Sequence, residues 1–300
     1  MNEVLQFLSE FIFEPFEGFT IPMREWIEQA VDWFVGNFRP IFRSIAWFVG
    51  LVLDGIQDSL LAIPPGAFLL GLFLVAWKAA SWRVGLFAVI AFTFVGYIGL
   101  WDALIVTLAM VLASVFFCVL IGVPTGIIAS RSDRFFTVIR PILDIFQTTP
   151  AFVYLVPVVM LFGIGTVPGV IATIIFSMPP IIRLTNLGIR QVQRDAIESA
   201  LAFGSTPRQV LWKVQFPLAL PTIMAGLNQT IMLSLSMVVI AALIGAGGLG
   251  FQVFAGLNRL QVGLAGIGGM GIVLLAMALD RMTQGLAEKD PAKRRRKKSK

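Results

Sequence analysis

The 300-residue chain is 57% hydrophobic and only 13% charged, with a mean hydropathy of +0.87 and a net charge of +6. Soluble domains carry about 25% charged residues, so this balance excludes a water-soluble globule and points to a multispanning membrane protein. The chain has no His, a single Cys (Cys118) and no Gly-Lys pair, which excludes an intrachain disulfide and a glycine-rich phosphate loop and argues against a Cys/His metal site.

No basic segment precedes an apolar stretch at the start, so no cleaved signal peptide is expected. Over 23–63, Trp26, Ile27, Ala30, Val31, Phe34 and Phe38 recur at helical spacing opposite Glu25, Glu28, Gln29 and Asp32. A second apolar stretch, 41–61, is interrupted by Asp54 and Asp58. Both read as helices lying on the outer membrane surface, with Trp26, Trp33 and Trp47 in the headgroup zone. The alternative for 41–61 is a further span, which would move the N-terminus inside.

A hydrocarbon core of about 30 Å takes about 20 apolar residues as a helix, and somewhat fewer where a buried helix is broken. Seven spans are expected, near 63–79, 84–101, 103–129, 149–163, 167–182, 219–245 and 262–284. Pro150 and Pro157 break the fourth, Gly163, Gly165, Pro168 and Gly169 form a tight outer turn, and Pro179-Pro180 interrupts the fifth. Interrupted helices commonly line transport sites. Gln147, Thr148, Thr149, Pro150, Tyr154, Asn228, Ser234 and Ser236, with Gln229 and Thr230, are therefore candidates for a translocation path; the competing account is that such hydroxyls only fasten helices together.

Between the fifth and sixth spans lies a polar island, 195–217, reading D-A-I-E-S-A-L-A-F-G-S-T-P-R-Q-V-L-W-K-V-Q-F-P. Asp195 is expected to cap a helix starting near Ala196, with Glu198 completing a capping-box-like pair. Gly204 then supplies a left-handed stop, Thr206 a second N-cap and Pro207 the first position of a second helix that Pro217 ends. Further on, Gly245, Gly247, Gly248 and Gly250 imitate a dinucleotide fingerprint but lack its strand and helix, and read as a flexible outer turn. Gly263, Gly266, Gly268, Gly269 and Gly271 would allow close helix approach in the last span.

With the island on the cytoplasmic side, 19 of the 23 basic residues fall inside and only Arg24, Arg39, Arg43 and Arg259 outside. Nine of the 17 acids lie in the first 62 residues. The expected topology is N-terminus out, C-terminus in. The basic run at 293–300 reads as a cytoplasmic anchor to anionic lipid rather than a nucleic-acid site.

The island resembles the coupling loop of binding-protein-dependent ABC importer permeases, whose pattern is E-A-A, three residues, G, nine residues, I-x-L-P. The matching positions are Glu198, Ala200, Gly204, Val214, Phe216 and Pro217; Ser199 replaces an Ala, and Val214 and Phe216 replace Ile and Leu. The resemblance implies that Glu198 and Gly204 meet a groove on a separate ATPase. A narrower likeness, to the permeases of glycine betaine/proline betaine importers, runs through Q-T-T-P-A-F-V-Y-L-V-P at 147–157, S-M-P-P-I-I-R-L-T at 177–185, P-T-I-M-A-G-L-N-Q-T at 221–230 and L-S-M-V-V-I-A at 235–241.

These resemblances imply an all-α polytopic membrane protein of about seven transmembrane helices with a type I ABC importer permease core. The expected parts are an extracytoplasmic amphipathic region (1–62), two accessory helices (63–98), the core (99–284) and a basic tail (285–300). They also imply a bacterial plasma-membrane location, a second copy of the chain, two ATPase subunits using ATP and Mg, an external substrate-binding protein, and no catalytic residue, cofactor or metal held by this chain. Choline, carnitine or another small osmolyte is the alternative cargo. An ion-coupled secondary transporter is the more distant alternative, for which only Asp102, Asp144 and Asp280 lie near span ends. A structural membrane protein would need no such island.

Overall fold

The computed structural model describes residues 22–288. The expectations for 1–21 and for the basic run at 293–300 lie outside the described residues. All regular structure among the described residues is helical. The chain divides between Arg43 and Ser44 into two units.

Helix α1, Met23–Ala62, is one 40-residue helix rather than the two expected, and Pro40 lies inside it. Pro40 cannot donate to the Gly36 carbonyl, but one lost hydrogen bond does not outweigh an apolar pattern that continues on both sides. In the first unit, Trp26 and Trp33 are exposed, and Phe34 packs on Phe38 at 4.8 Å between ring centroids. In the second unit, Val49, Gly50 and Leu53 are buried, and Phe48 meets Phe117 edge-on at 5.7 Å. Length and composition allow α1 to cross a membrane.

Helices α2 (Pro65–Ala79) and α3 (Trp82–Tyr97) form an apolar hairpin. Pro65 opens α2 where its missing N–H costs nothing, and Ser81 caps α3 by accepting from the Val84 N–H. At 15 and 16 residues they are shorter than the other spans.

The core of the fold is a three-helix seam: α4 (Trp101–Arg131), α7 (Thr166–Arg190) and α10 (Phe216–Ala241). Two glycines on α4 set the spacing. A Cβ on Gly122 would lie 2.5 Å from Ile181, and one on Gly126 would lie 2.6 Å from Thr185 and 2.8 Å from the Ile182 carbonyl, so only glycine lets these backbones meet. Within the seam Ser234 donates to Ser177 at 3.0 Å, Ser177 donates to the Thr173 carbonyl, and Cys118 Sγ sits 3.5 Å from Ser177 Oγ.

Between α4 and α7 the chain forms α5 (Asp133–Thr148), a single 3₁₀ turn (Ala151–Tyr154) and α6 (Leu155–Phe162). The two halves bend by 110° at Thr149-Pro150. Pro150 is thus a break, but Pro157 is not: it sits in the first turn of α6, where no N–H is needed. Pro179-Pro180 does not interrupt the fifth span either. Helix α7 is continuous through both: their fixed φ is already helical, and the hydrogen bonds to the Ile175 and Phe176 carbonyls are given up without ending it.

After α10, a 3₁₀ turn (Ala242–Ile244) leads to the glycine turn, which is packed rather than loose: Gly165 N–H donates to the Ile244 carbonyl and Leu249 N–H to Thr107 Oγ1, both at 2.8 Å. An unexpected helix follows, α11 (Leu249–Asn258), before the last span, α12 (Val262–Glu288). Of the α12 glycines, Gly268 meets Val253 and Gly271 meets Leu249, whereas Gly263, Gly266 and Gly269 face open space. Among the described residues five helices are long and apolar enough to cross a membrane, or six with the bent pair counted as one.

Candidate functional site

The polar island folds as two helices on a glycine hinge. Helix α8 spans Arg194–Ala202, and Gln193 occupies the cap position without a side-chain bond. Asp195 therefore sits one residue inside the helix instead of capping it, where its charge still suits the positive end of the dipole. Its carbonyl accepts from Ser199 Oγ. At the other end Gly204 has φ +79, Ser205 N–H bonds the Ala200 carbonyl and Gly204 N–H the Leu201 carbonyl. That pair of bonds is the Schellman stop, which a left-handed residue makes possible.

Thr206 and Gln209 form a reciprocal capping box, and Pro207 opens the second helix, α9 (Pro207–Val210). Pro217 does not end it. The chain widens into a π-turn, Leu211–Gln215, in which Phe216 N–H reaches back to the Leu211 carbonyl, and continues as α10. A proline ring clashes with the carbonyl four residues earlier, and the wider turn makes room for it. The second half of the island is consequently the base of a membrane helix, so a push on α9 is a push on α10.

Of the six coupling positions, Glu198 is exposed on α8, Ala200 is half-buried and Gly204 makes the turn. Val214 and Phe216 are half-buried at the helix base, where Phe216 packs on Trp212 at 5.3 Å between ring centroids. Pro217 is exposed beside them. Three apolar side chains that the motif does not include project from the same island: Leu201, Trp212 and Phe203, the last 91% exposed. Large apolar groups left in water on a polar segment mark a docking face. The signal in the sequence is slight, a single aromatic residue directly before the stop glycine of a polar segment.

The translocation candidates separate into two groups. Gln147, Thr148, Thr149, Pro150 and Tyr154 gather at the bend after α5. There Thr148 and Thr149 donate to the Asp144 and Ile145 carbonyls at 3.0 and 2.8 Å, and Tyr154 OH donates to the Phe146 carbonyl at 2.7 Å, while Gln147 stays exposed. Helix α10 carries the rest. Ser234 is buried in the seam, and Asn228 donates to Asp280 of α12 at 3.0 Å while accepting from Thr283. Ser236 is exposed and bonds its own helix at the Met232 carbonyl. Thr230, also buried, has no hydrogen-bond partner for its hydroxyl.

The family model for the binding-protein-dependent transport system inner membrane component matches residues 122–288. The chain is 52% identical over 275 residues to the glycine betaine/proline betaine transport system permease protein ProW of Escherichia coli, covering 92% of this chain and 78% of that one. It is 46% identical over 269 residues to the glycine betaine transport system permease protein OpuAB of Bacillus subtilis, covering 90% and 95%. Permeases named for choline alone or carnitine alone match less of the chain at lower identity. A chain of the MetNI methionine ABC transporter in an inward-facing conformation shares the fold, with a TM-score of 0.53 at 23% identity over 62% of this chain and 95% of that one. The chain belongs to the family of binding-protein-dependent transport system inner membrane components, multi-pass proteins of the bacterial inner membrane.

Proposed function

We propose that this chain is the transmembrane permease subunit of an ATP-driven importer of glycine betaine and proline betaine. The observation that carries the reading is the likeness to permeases named for these solutes, which extends through the island and the spans alike. The chain supplies the route and its mechanical input; ATP and Mg are handled by a separate ATPase. Two ATPase subunits dock on the islands of two copies of the chain, and an extracytoplasmic binding protein delivers the cargo. Glu198, Ala200 and Gly204 lie at the ATPase contact, while Val214, Phe216 and Pro217 join it to α10. Closure of the ATPase pair moves the island, and the continuous α9 to α10 rod carries that motion into the seam, alternating access between the two faces. The N-terminus lies outside and the C-terminus inside, where the basic run at 293–300 meets anionic lipid.

The test is uptake of radiolabelled glycine betaine by cells lacking their own osmolyte importers, supplied with this chain, its ATPase and its binding protein, with ATP depleted in parallel. Uptake that requires both the chain and ATP is expected. ATP-dependent uptake of choline or carnitine with none of betaine would replace the cargo and keep the class. Uptake without the ATPase would overturn the reading in favour of an ion-coupled carrier.

A further inference from the structure

Helix α5 carries Asp133, Arg134, Arg140 and Asp144 within 16 residues, yet with α6 it has the length and composition of a broken span. An ionised side chain facing lipid is costly, so such residues face water-filled space or one another. Here they face α7. Between the two helices lies a cleft of about 370 Å³, within the range of about 300–1,000 Å³ typical of small-molecule sites, lined in part by Phe136, Arg140, Leu143, Asp144, Arg183 and Arg190.

The three arginines are held differently. Arg190 is fastened: it donates to the Ala129 carbonyl and to Asn186 at 2.8 Å each, pairs with Asp133 at 2.7 Å and lies over the Phe136 ring. Arg183 is bonded to Asp144 across the cleft. Arg140 approaches Asp144 only to 4.0 Å and is 69% exposed. Within the cleft, positive charge thus exceeds negative, and one ion pair spans it. The cleft lies at the island end of the bundle, since Arg190 and Asp133 flank the ends of α7 and α4 from which the island is held.

We propose that this cleft is a low-affinity subsite for a zwitterion on the translocation route, occupied by exchange with the Arg183–Asp144 pair. The cargo's carboxylate takes Arg183 and Arg140, and its fixed cation takes Asp144, so both resident charges keep a partner. An anion alone would strand Asp144, and a cation alone would strand Arg183; each stranded charge opposes binding. Because the resident pair is half-exposed, exchanging it changes the free energy little, and the cargo is held weakly enough to leave. This inference rests on the reading of the chain as a betaine permease.

The test uses the permease and its ATPase in nanodiscs, without binding protein or ATP, and measures equilibrium binding of radiolabelled glycine betaine at millimolar concentrations. Saturable binding is expected, displaced by proline betaine but at least about tenfold less well by choline or by acetate, each of which carries one charge only. Arg140→Gln, which breaks no close hydrogen bond, is expected to weaken binding about tenfold with an unchanged unfolding midpoint. Arg183→Gln is expected to weaken it further. Absence of saturable binding, equal binding by both variants, or displacement by choline as effective as by proline betaine would overturn the subsite. Uptake in the same nanodisc-derived complex, reconstituted in vesicles with binding protein and ATP, separates the two ideas: wild-type uptake of betaine with any of those results removes the subsite alone, and no uptake of betaine removes the functional reading itself.

Discussion

Arg131, the last residue of α4, donates from Nη2 to the carbonyl oxygen of Pro207, the first residue of α9, at 3.0 Å. It is a bond across 76 positions of sequence that ties the hinge of the island to a helix of the central seam. A charged donor on a carbonyl is worth about 1.5–3 kcal/mol when buried, and less here because Arg131 is exposed. The chain should therefore fold without it. Arg131→Ala is expected to leave ATPase association intact and to lower betaine transported per ATP hydrolysed severalfold, with partial recovery in Arg131→Lys, which keeps one donor in reach. Stoichiometry measured in proteoliposomes checks this, and an unchanged ratio would show that α9 is steered through α10 alone.

Gly204 can be tested for two separable properties. Its φ of +79 is costly for a residue with a Cβ, by about 1–2 kcal/mol and more for a β-branched one, although space around the Cβ position is open. Asn tolerates that conformation and Val does not. Gly204→Val is expected to lower stability and abolish uptake; Gly204→Asn should keep the stability of the parent and still lose uptake, because its side chain would stand at the proposed ATPase contact. Gly204→Asp should likewise remain in the membrane and fail to transport. Normal uptake by the Asn variant would move the contact away from this glycine.

What could be read from the chain and what could not divides by range. The Schellman stop at Gly204, the Thr206 cap and the Pro207 start are fixed by residues within five positions of one another, and each was legible as local chemistry. Proline is misleading wherever its surroundings decide the outcome: Pro179-Pro180 stays helical in a packed seam, and Pro217 is accommodated by a π-turn that lets the helix continue. Ser234 and Asn228 read as polar groups available to cargo because their partners, Ser177 and Asp280, lie 57 and 52 positions away. Phe203 is not legible in the sequence as a contact, since a single aromatic residue in a short polar segment is indistinguishable from one that folds inward.

That long-range placement gives Asn228 a testable role. It bridges Asp280 and Thr283, and Asp280 also accepts from Gln284, so the cluster latches α10 to α12. Asn228→Ala leaves Asp280 with one donor fewer in a half-buried setting, at a cost of about 1–3 kcal/mol. The expected outcome is a lower unfolding midpoint with an unchanged KM for betaine uptake. A raised KM at unchanged stability would return Asn228 to the cargo path.

The glycines of the spans should differ sharply from one another. Gly126→Ala forces a Cβ within 2.8 Å of backbone on α7 and should cost about 1–3 kcal/mol by overpacking, whereas Gly263→Ala and Gly266→Ala meet nothing within 4 Å and should be neutral or mildly stabilising. Thermal unfolding in detergent of the three variants checks the contrast. Equal losses in all three would mean that α12 packs on something beyond this chain.

Phe203 is the residue on which docking should depend most. It is nine-tenths exposed, follows the last turn of α8 and is set beside a glycine hinge whose geometry aims it away from the bundle. Since it touches so little of its own chain, Phe203→Ala should leave the unfolding midpoint unchanged. An aromatic anchor at an interface centre is typically worth about 2 kcal/mol or more, which corresponds to about a thirtyfold loss of affinity. Co-purification of the ATPase with membranes holding the variant, titrated against ATPase concentration, measures that loss directly. Glu198→Gln, on the same helix but charged and solvated, should cost less than the aromatic truncation, because an exposed charge contributes mainly to encounter and orientation. If the order is reversed, the ATPase reads the charge on α8 and Phe203 lies against lipid instead.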